Sequence, residues 1–380
     1  MSVTRFLLPA ILAALPCLAS AKVELLDTPA LPSASADTAL MMALSPHNGG
    51  YLVSGERGLL LQWQPSGEWQ QLQTPVSVAL TGLATLADGR AFAVGHDAAI
   101  LRRAADGRWQ KIFDGYDLTR MQIAALESRR DALQQALDNP PADADIGELE
   151  FQLEETGINI EDAQAEMQSG PNKPLLAIAG SGSNLFAVGA YGSFLKSADG
   201  GDSWQLQSGK LDNPDRFHLN AVTATGDGSL YIVGESGTGF VSRDGGDSWA
   251  RMDLPYGGSL FGVAAQPHSR NLVAYGLQGN LLISRDGGET WTHHHIDAGA
   301  SLLGGTVTDS GEVYLVGHGG LVVSFPIDDP GALAVRKHPS GAALSAVAAD
   351  GDKLILAGQF GITVWDQRAW NKKEVSGDAE

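Results

Sequence analysis

At 380 residues the chain is long enough to bury a large core, about three quarters of the surface its extended form would expose. Forty-four acidic against 25 basic residues give a net charge of −19, which disfavours nucleic acid and anionic lipid surfaces as partners. The single cysteine, Cys17, falls inside an apparent leader, so the mature chain has no disulfide, no thiol nucleophile and no cysteine–zinc site.

Residues 1–21 read as a secretory signal: Arg5 precedes an apolar run from Phe6 to Leu18, and Ala19-Ser20-Ala21 is a small-residue cleavage site. The run is too short for a stable membrane anchor; a lipoprotein acylated at Cys17 is the alternative, which Pro16 disfavours. Cleavage after Ala21 leaves residues 22–380 as an exported chain, periplasmic in a Gram-negative source. Val23 to Pro29 resembles Trp69 to Pro75, an outer strand leading into the next inner one. Either this N-terminal segment or Trp370 to Val375 is therefore expected to complete the last repeat.

From residue 51 an apolar strand ending in glycine, a short polar turn and a second apolar strand recur, as in YLVSGERGLLLQW, LFAVGAYGSFLKS and LVAYGLQGNLLIS. The strand-ending glycines are Gly55, Gly95, Gly189, Gly234, Gly276, Gly317 and Gly358, at intervals of 40, 94, 45, 42, 41 and 41. Removing about 53 residues from the long interval restores the period. A unit of this length, repeated, is a four-stranded blade, and a closed ring of blades hides its sheet edges. The fold class is all-β: a seven-bladed β-propeller with an inserted α-helical hairpin.

The insertion, residues 113–172, lies between the second and third blades. Ile146, Leu149, Leu153, Thr156, Ile160, Ala163 and Met167 step by three and four, a heptad stripe, and Ile123, Leu126, Leu133 and Leu137 fit the same register. Asn139-Pro140-Pro141 ends the first helix. The segment holds 14 acidic and 3 basic residues, so it carries −11 of the net charge.

The octapeptide SADGGDSW at 197–204 returns as SRDGGDSW at 242–249 and SRDGGETW at 284–291. Asp199, Gly201 and Trp204, with Asp244, Gly246, Trp249, Asp286, Gly288 and Trp291, are its structural positions. The aspartate accepts backbone N–H bonds, the glycines take positive φ, and the tryptophan opens the outer strand. Degenerate versions precede Trp69 and Trp109, and another is expected over Asp366 to Trp370. One tryptophan per blade in this slot reads as packing between neighbouring sheets, against the alternative of a sugar-stacking ring.

If the four strands of a blade are lettered A to D from the axis outward, the B–C turns share one face with the D–A connections. The C–D turns, which hold the boxes, lie on the other. The helical hairpin leaves after strand D of the second blade, so it is expected on the B–C face, beside the channel mouth. That face gathers Glu56 and Arg57, His96 and Asp97, Tyr191, Glu235 with Ser236, Gln278, His318, Gln359 and Phe360. A ring of varied polar side chains around a funnel is a candidate partner-binding surface, although short exposed turns are polar in any case.

Catalytic sets are incomplete. A sialidase needs three arginines on a carboxylate together with a tyrosine–glutamate nucleophile pair; Tyr191 and Glu235 could supply the pair, but Arg243 and Arg285 lie in box turns on the opposite face. His293-His294-His295 points alternately to two sides of a strand, so at most two share a face. Asp328 and Asp329, in a proline-bounded loop, offer at best a weak calcium site. No catalytic residue, metal or cofactor is assigned.

The box pattern, Ser-x-Asp-x-Gly-x-Ser/Thr-Trp, resembles the BNR or Asp-box repeat of sialidase-type and related propellers. With the signal, seven glycine-ended hairpins and no catalytic set, residues 39–370 apart from the insertion resemble the photosystem II assembly and stability factor family. That resemblance implies a non-enzymatic scaffold or assembly factor that binds a membrane-protein complex. In non-photosynthetic bacteria it implies association with transporters of the resistance-nodulation-division type. The family's basic client-binding patch is not evident in so acidic a chain, and the acidic hairpin is a departure. A glycan-binding or sialidase-like Asp-box propeller is the alternative.

Overall fold

The computed structural model describes residues 24–367. Among the described residues, twenty-seven strands form seven separate antiparallel sheets, each meandering in chain order. Blade 1 comprises β1 (Met41–His47), β2 (Gly50–Gly55), β3 (Leu60–Trp63) and β4 (Trp69–Gln71), and blade 2 comprises β5 (Leu80–Thr85), β6 (Ala91–Gly95), β7 (Ile100–Arg103) and β8 (Trp109–Phe113). Blade 3 holds β9 (Leu175–Ser181), β10 (Asn184–Gly189), β11 (Phe194–Ser197) and β12 (Gln205–Leu206), and blade 4 β13 (Leu219–Ala224), β14 (Leu230–Gly234), β15 (Gly239–Ser242) and β16 (Ala250–Arg251). Blade 5 holds β17 (Leu260–Ala265), β18 (Leu272–Gly276), β19 (Asn280–Ser284) and β20 (Thr292–His295), and blade 6 β21 (Leu302–Val307), β22 (Glu312–Gly317), β23 (Leu321–Pro326) and β24 (Ala334–Lys337). Blade 7 has three strands among the described residues: β25 (Leu344–Asp350), β26 (Lys353–Gly358) and β27 (Gly361–Asp366).

The A strands β1, β5, β9, β13, β17, β21 and β25 touch one another in a closed ring. Blade 7 joins blade 1 through them, with Ser345 Oγ donating to the Met41 carbonyl at 2.6 Å. The B strands are buried along their length, and the apolar clusters lie between successive sheets.

The glycine period has a single steric cause. In every blade the first residue of the B–C turn donates its backbone N–H to the carbonyl just before strand A, as Glu56 does to Leu40, His96 to Ala79 and His318 to Ser301. That carbonyl occupies the place a side chain would take on the preceding residue. A Cβ on Gly55, Gly95, Gly189, Gly234, Gly276, Gly317 or Gly358 would lie between 2.0 and 2.3 Å from it. These seven glycines have extended backbone, so contact and not φ excludes a side chain.

The boxes form as their residues dictate. Ser197 Oγ donates to Asp199 Oδ1 (2.8 Å) and accepts from Gly201 N (2.8 Å), while Asp199 also accepts Ser203 N (2.9 Å) and Ser203 Oγ (2.5 Å). The boxes at Asp244 and Asp286 repeat this network. Gly201 and Gly246 have positive φ, and a Cβ there would meet Phe92 and Phe186 of the preceding blade. Cations from the preceding blade close the same seam: Lys196 contacts Asp247 at 2.8 Å, and Arg243 contacts Glu289 at 2.7 Å. Trp109 and Trp204 belong to inter-blade clusters, and Trp69, Trp249 and Trp291 pack against them. The tryptophan that recurs in this slot in blades 1 to 5 is thus a packing residue.

Two helices fill the long interval: α1 (Gly115–Asp138) and α2 (Ile146–Ser169). Asp114 caps α1 in a capping box with Asp117, and Asp145 caps α2. They pack against each other as an antiparallel pair, burying Leu133, Thr156, Ile160 and Ala163. Among the described residues no helix is long and apolar enough to cross a membrane.

One sequence expectation is corrected. Residues 24–30 do not add a fourth strand to blade 7. Leu25–Asp27 is a short helical turn whose Leu26 is buried among Leu52, Leu60, Val76 and Leu80, between blades 1 and 2. Ser77 N donates to the Leu25 carbonyl at 2.8 Å, and Lys111 Nζ meets Asp27 at 2.7 Å. The alternating apolar pattern of an outer strand serves equally to cover a seam. Ala36–Thr38 then passes the edge of β27 on its way to blade 1. The competing segment from Trp370 to Val375, like the leader, lies outside the described residues.

Two measurements test this picture. Gly317→Ala places a methyl 2.0 Å from the Ser301 carbonyl oxygen and is expected to cost about 2 kcal/mol in denaturant unfolding. Gly209→Ala, with nothing within 4 Å, should be close to neutral; equal midpoints for the two would remove the steric account. Hydrogen bonds from Thr290 hold the Asp286 carboxyl down from 3.8 to about 2. Those from Ser203 and Ser248 hold Asp199 and Asp244 well below the usual carboxylate range. A depressed folded-state pKa stabilises above the unfolded value and is lost as pH falls through the folded one. The stability gap between the wild type and Asp286→Asn should therefore be full above pH 3.8 and narrow as pH approaches about 2. A gap independent of pH would contradict it.

Candidate functional site

Seven B–C turns and their D–A neighbours surround the channel on one face, and in five of them the second residue sits at left-handed φ: Arg57, Asp97, Tyr191, Ser236 and Gln278, between 52° and 56°. A non-glycine residue there costs about 1 kcal/mol, and the three-residue turn imposes it five times over. Blade 6 meets the same demand with Gly319. Blade 7 has the shorter Gln359-Phe360 turn.

The structure places Arg57, His96, Tyr191, Gln278, His318, Gln359 and Phe360 exposed on this face. Glu56, Asp97 and Glu235 are half-buried. Glu235 Oε2 accepts from His218 N at 2.9 Å, and Glu56 Oε1 from Leu40 N, so these two carboxylates brace the start of strand A. Asp97 lies under the first turn of α1: a Cβ on Gly115 would be 2.8 Å from the Asp97 carbonyl oxygen.

Tyr191 and Glu235 do not pair directly. The Tyr191 ring meets the ring of His218 edge-on at 4.9 Å, and it is His218 Nδ1 that faces Glu235 Oε1, at 3.4 Å. The two box arginines are engaged with the next blade, Arg243 with the Gly287 carbonyl and Arg285 with that of Ile327. His293 bonds Asn280 Oδ1 through Nε2 at 2.8 Å and stacks near Tyr256. Burial and the nearby Arg285 and His293 push the His294 imidazole below its usual range. Asp328 faces Arg285 at 3.6 Å.

Sequence reasoning missed the inner part of the site. Each A strand bulges near its start, opposite the strand-ending glycine, as the register shifts at Leu80/Gly82 and Leu260/Gly262 show. The bulged residues are Met42, Thr81, Leu176, Asn220, Phe261, Leu303 and Ser345, and all seven line the mouth of a channel of about 240 Å³. Thr81 and Asn220 spend their polar groups on the next blade, donating to the carbonyls of Leu175 (2.6 Å) and Leu260 (2.8 Å), as Ser345 does on Met41. Met42, Leu176, Phe261 and Leu303 are left half-exposed. The lining contains no charged side chain, and burial raises the phenol of its Tyr275, which stays neutral. Above this apolar floor the rim presents Tyr191 (52 % exposed), Leu277 (38 %) and Phe360 (61 %). Leu277, beside the expected Gln278, was concealed because it continues the apolar run of its strand.

The hairpin is on the B–C face, as the connectivity requires, but its root stands farther out than the channel mouth. α1 meets the B–C turn of blade 2 and strand β12, the outermost strand of blade 3, and Leu118 and Met121 join the cluster that holds Trp204 and Leu206. Lys173 ties the base, contacting Gln122 at 2.9 Å and Glu166 at 2.5 Å.

A model of the family described as photosynthesis system II assembly factor YCF48 matches residues 174–259, from blade 3 to the start of blade 5, and a BNR/Asp-box repeat model matches residues 282–293. No curated protein sequence matches the chain significantly. Among solved structures, "YCF48 bound to D1 peptide" superimposes with a TM-score of 0.51 at 16 % identity, covering 76 % of this chain and 78 % of that one. YCF48 from Cyanidioschyzon merolae gives 0.56 at 14 % identity, covering 89 % and 98 %. The WD40 β-propeller domain of Doa1 gives 0.59 at 7 %, covering 90 % and 96 %. At such identities the structural likeness speaks for the propeller fold, while the sequence match over blades 3 and 4 carries the family resemblance. The chain is a BNR/Asp-box propeller similar to the photosystem II assembly factor family.

The Gly115 and Pro171 ends of the insertion touch, since a Cβ on Gly115 would overlap the Pro171 ring. Excision of residues 116–168 removes Leu118 and Met121 from the Trp204 cluster and should therefore leave a less stable propeller that still unfolds cooperatively, with its helical circular-dichroism signal gone. Loss of cooperative unfolding would show that the ring does not hold together without the hairpin root.

Proposed function

We propose that this protein is a non-enzymatic, exported scaffold whose B–C face holds a segment of a membrane-protein complex. The observation that carries the reading is the uncharged funnel: half-exposed Met42, Leu176, Phe261 and Leu303 beneath a rim of Tyr191, Leu277 and Phe360. Apolar side chains of a partner gain by entering such a mouth, whereas an anionic sugar would find no countercharge in the channel lining. Polar turn residues around the rim supply orientation. Rigidity comes from the closed inner ring, so little ordering cost falls on this side of the interface.

The family resemblance supports the same class of role, because one similar propeller is known bound to a D1 peptide. The leader-like residues 1–21 support export, to the periplasm in a Gram-negative cell. For a non-photosynthetic source, the resemblance favours a subunit of a resistance-nodulation-division transporter as the client. The glycosidase alternative would need Tyr191 and Glu235 to act together, and His218 stands between them.

Affinity purification from the native host, with mass spectrometry, tests the proposal. Wild-type protein should recover a membrane-complex subunit. The Tyr191→Ala/Leu277→Ala/Phe360→Ala variant, altered only at exposed positions, should keep its thermal midpoint and lose recovery by about tenfold or more. Tyr191→Phe should behave as wild type. Undiminished recovery by the triple variant would place the interface elsewhere, and turnover of a sialoside abolished by Tyr191→Phe would restore the hydrolase reading.

A further inference from the structure

Helix α2 has two apolar faces, and α1 covers only one. Leu153, Thr156, Ile160 and Ala163 turn inward, toward α1. Half a turn round the helix, Phe151 and Ile158 are 62 % and 55 % exposed, and Ala165 continues the line. A spacing of seven falls only about 20° short of two full helical turns, so these residues form one stripe along the outside. α2 is 24 residues long, which gives a rod of about 36 Å.

The stripe is edged by charge of one sign. Glu148, Glu154, Glu155, Glu161 and Asp162 are exposed on its flanks, and α2 contains no lysine or arginine at all. Two large apolar side chains held in water between carboxylates make a surface that is incomplete on its own. A second copy of this chain would bring the same carboxylates against it, and an anionic lipid surface would be repelled in the same way. A partner with basic flanks and an apolar seam meets both demands.

We propose that the outer face of α2 is a docking site for a basic amphipathic helix of a partner protein, which packs its apolar seam on Phe151, Ile158 and Ala165 and sets lysines or arginines against the flanking carboxylates. The helix pair thereby becomes a three-helix bundle. The inference rests on the reading of the molecule as a protein-binding scaffold but uses a surface separate from the funnel. The funnel would receive apolar side chains of the client, and the arm would select clients carrying a cationic helix.

The probe is a synthetic amphipathic peptide of about three heptads with leucines at the seam positions and lysines beside them, titrated against the full chain. The comparison peptide has the same composition scrambled to destroy the periodicity. One-to-one binding is expected, with affinity falling about tenfold or more for Phe151→Ser/Ile158→Ser, which leaves every charge in place. Equal affinity of this variant, or of the scrambled peptide for wild type, would mean that charge alone attracts the probe and would overturn the proposal. Absence of binding, or self-association of the chain abolished by the same two substitutions, would overturn it as well. The Tyr191→Ala/Leu277→Ala/Phe360→Ala variant should bind the peptide as wild type does. If it loses the native client while the peptide also fails to bind wild type, the arm falls and the funnel stands; if it keeps the client while the peptide binds, the reverse holds.

Discussion

The structure depends on one contact repeated around the ring: the carbonyl before each inner strand, seated against the strand-ending glycine of the neighbouring strand and bonded to the first N–H of the turn. This contact fixes where the B–C turn begins and lies opposite the bulge that turns one residue of each inner strand into the channel; in the six blades with a three-residue turn, the turn's second residue is at left-handed φ. The B–C face is built by the same interaction that stabilises the blade. The boxes do a complementary job on the other face, where their carboxylate networks shape loops that the preceding blade's aromatic rings and cations grip.

Two faces so differently built suit different uses. On the box face, aspartates, serines and arginines satisfy one another or the adjoining blade. On the B–C face, polar atoms at the channel mouth are consumed by inter-blade bonds, and apolar side chains remain for a visitor. Helix α2 extends that face with a second, separately charged surface. A rigid disc that presents an uncharged funnel and an anionic arm is suited to recognising another protein by shape and charge.

Much of this was legible in the residues. The glycine period gave the blade count because a steric exclusion leaves a strict signature, and SADGGDSW gave the box turns because aspartate, paired glycines and tryptophan are each required there. The heptad stripe from Ile146 to Met167 identified the hairpin for a similar reason. The bulged ring was hidden because Met42, Thr81, Asn220 and Phe261 share a position but no chemistry; the backbone decides their direction. Val23 to Pro29 misled because an apolar alternation fits a seam cover as well as an outer strand. The hairpin root was placed too near the axis because connectivity selects a face but not a radius, which Leu118 and Met121 determine by packing toward Trp204. The outer line of Phe151 and Ile158 was passed over in favour of the more populous inner stripe.

The central claim is that the funnel face is where a client sits. Hydrogen exchange of the complex isolated from its host, compared with the free protein, tests it most directly. The account predicts added protection in the turns at 56–58, 190–192, 277–279 and 359–360 and in the starts of the inner strands, with the box loops at 197–204, 242–249 and 284–291 unchanged. Protection confined to the box loops would contradict it.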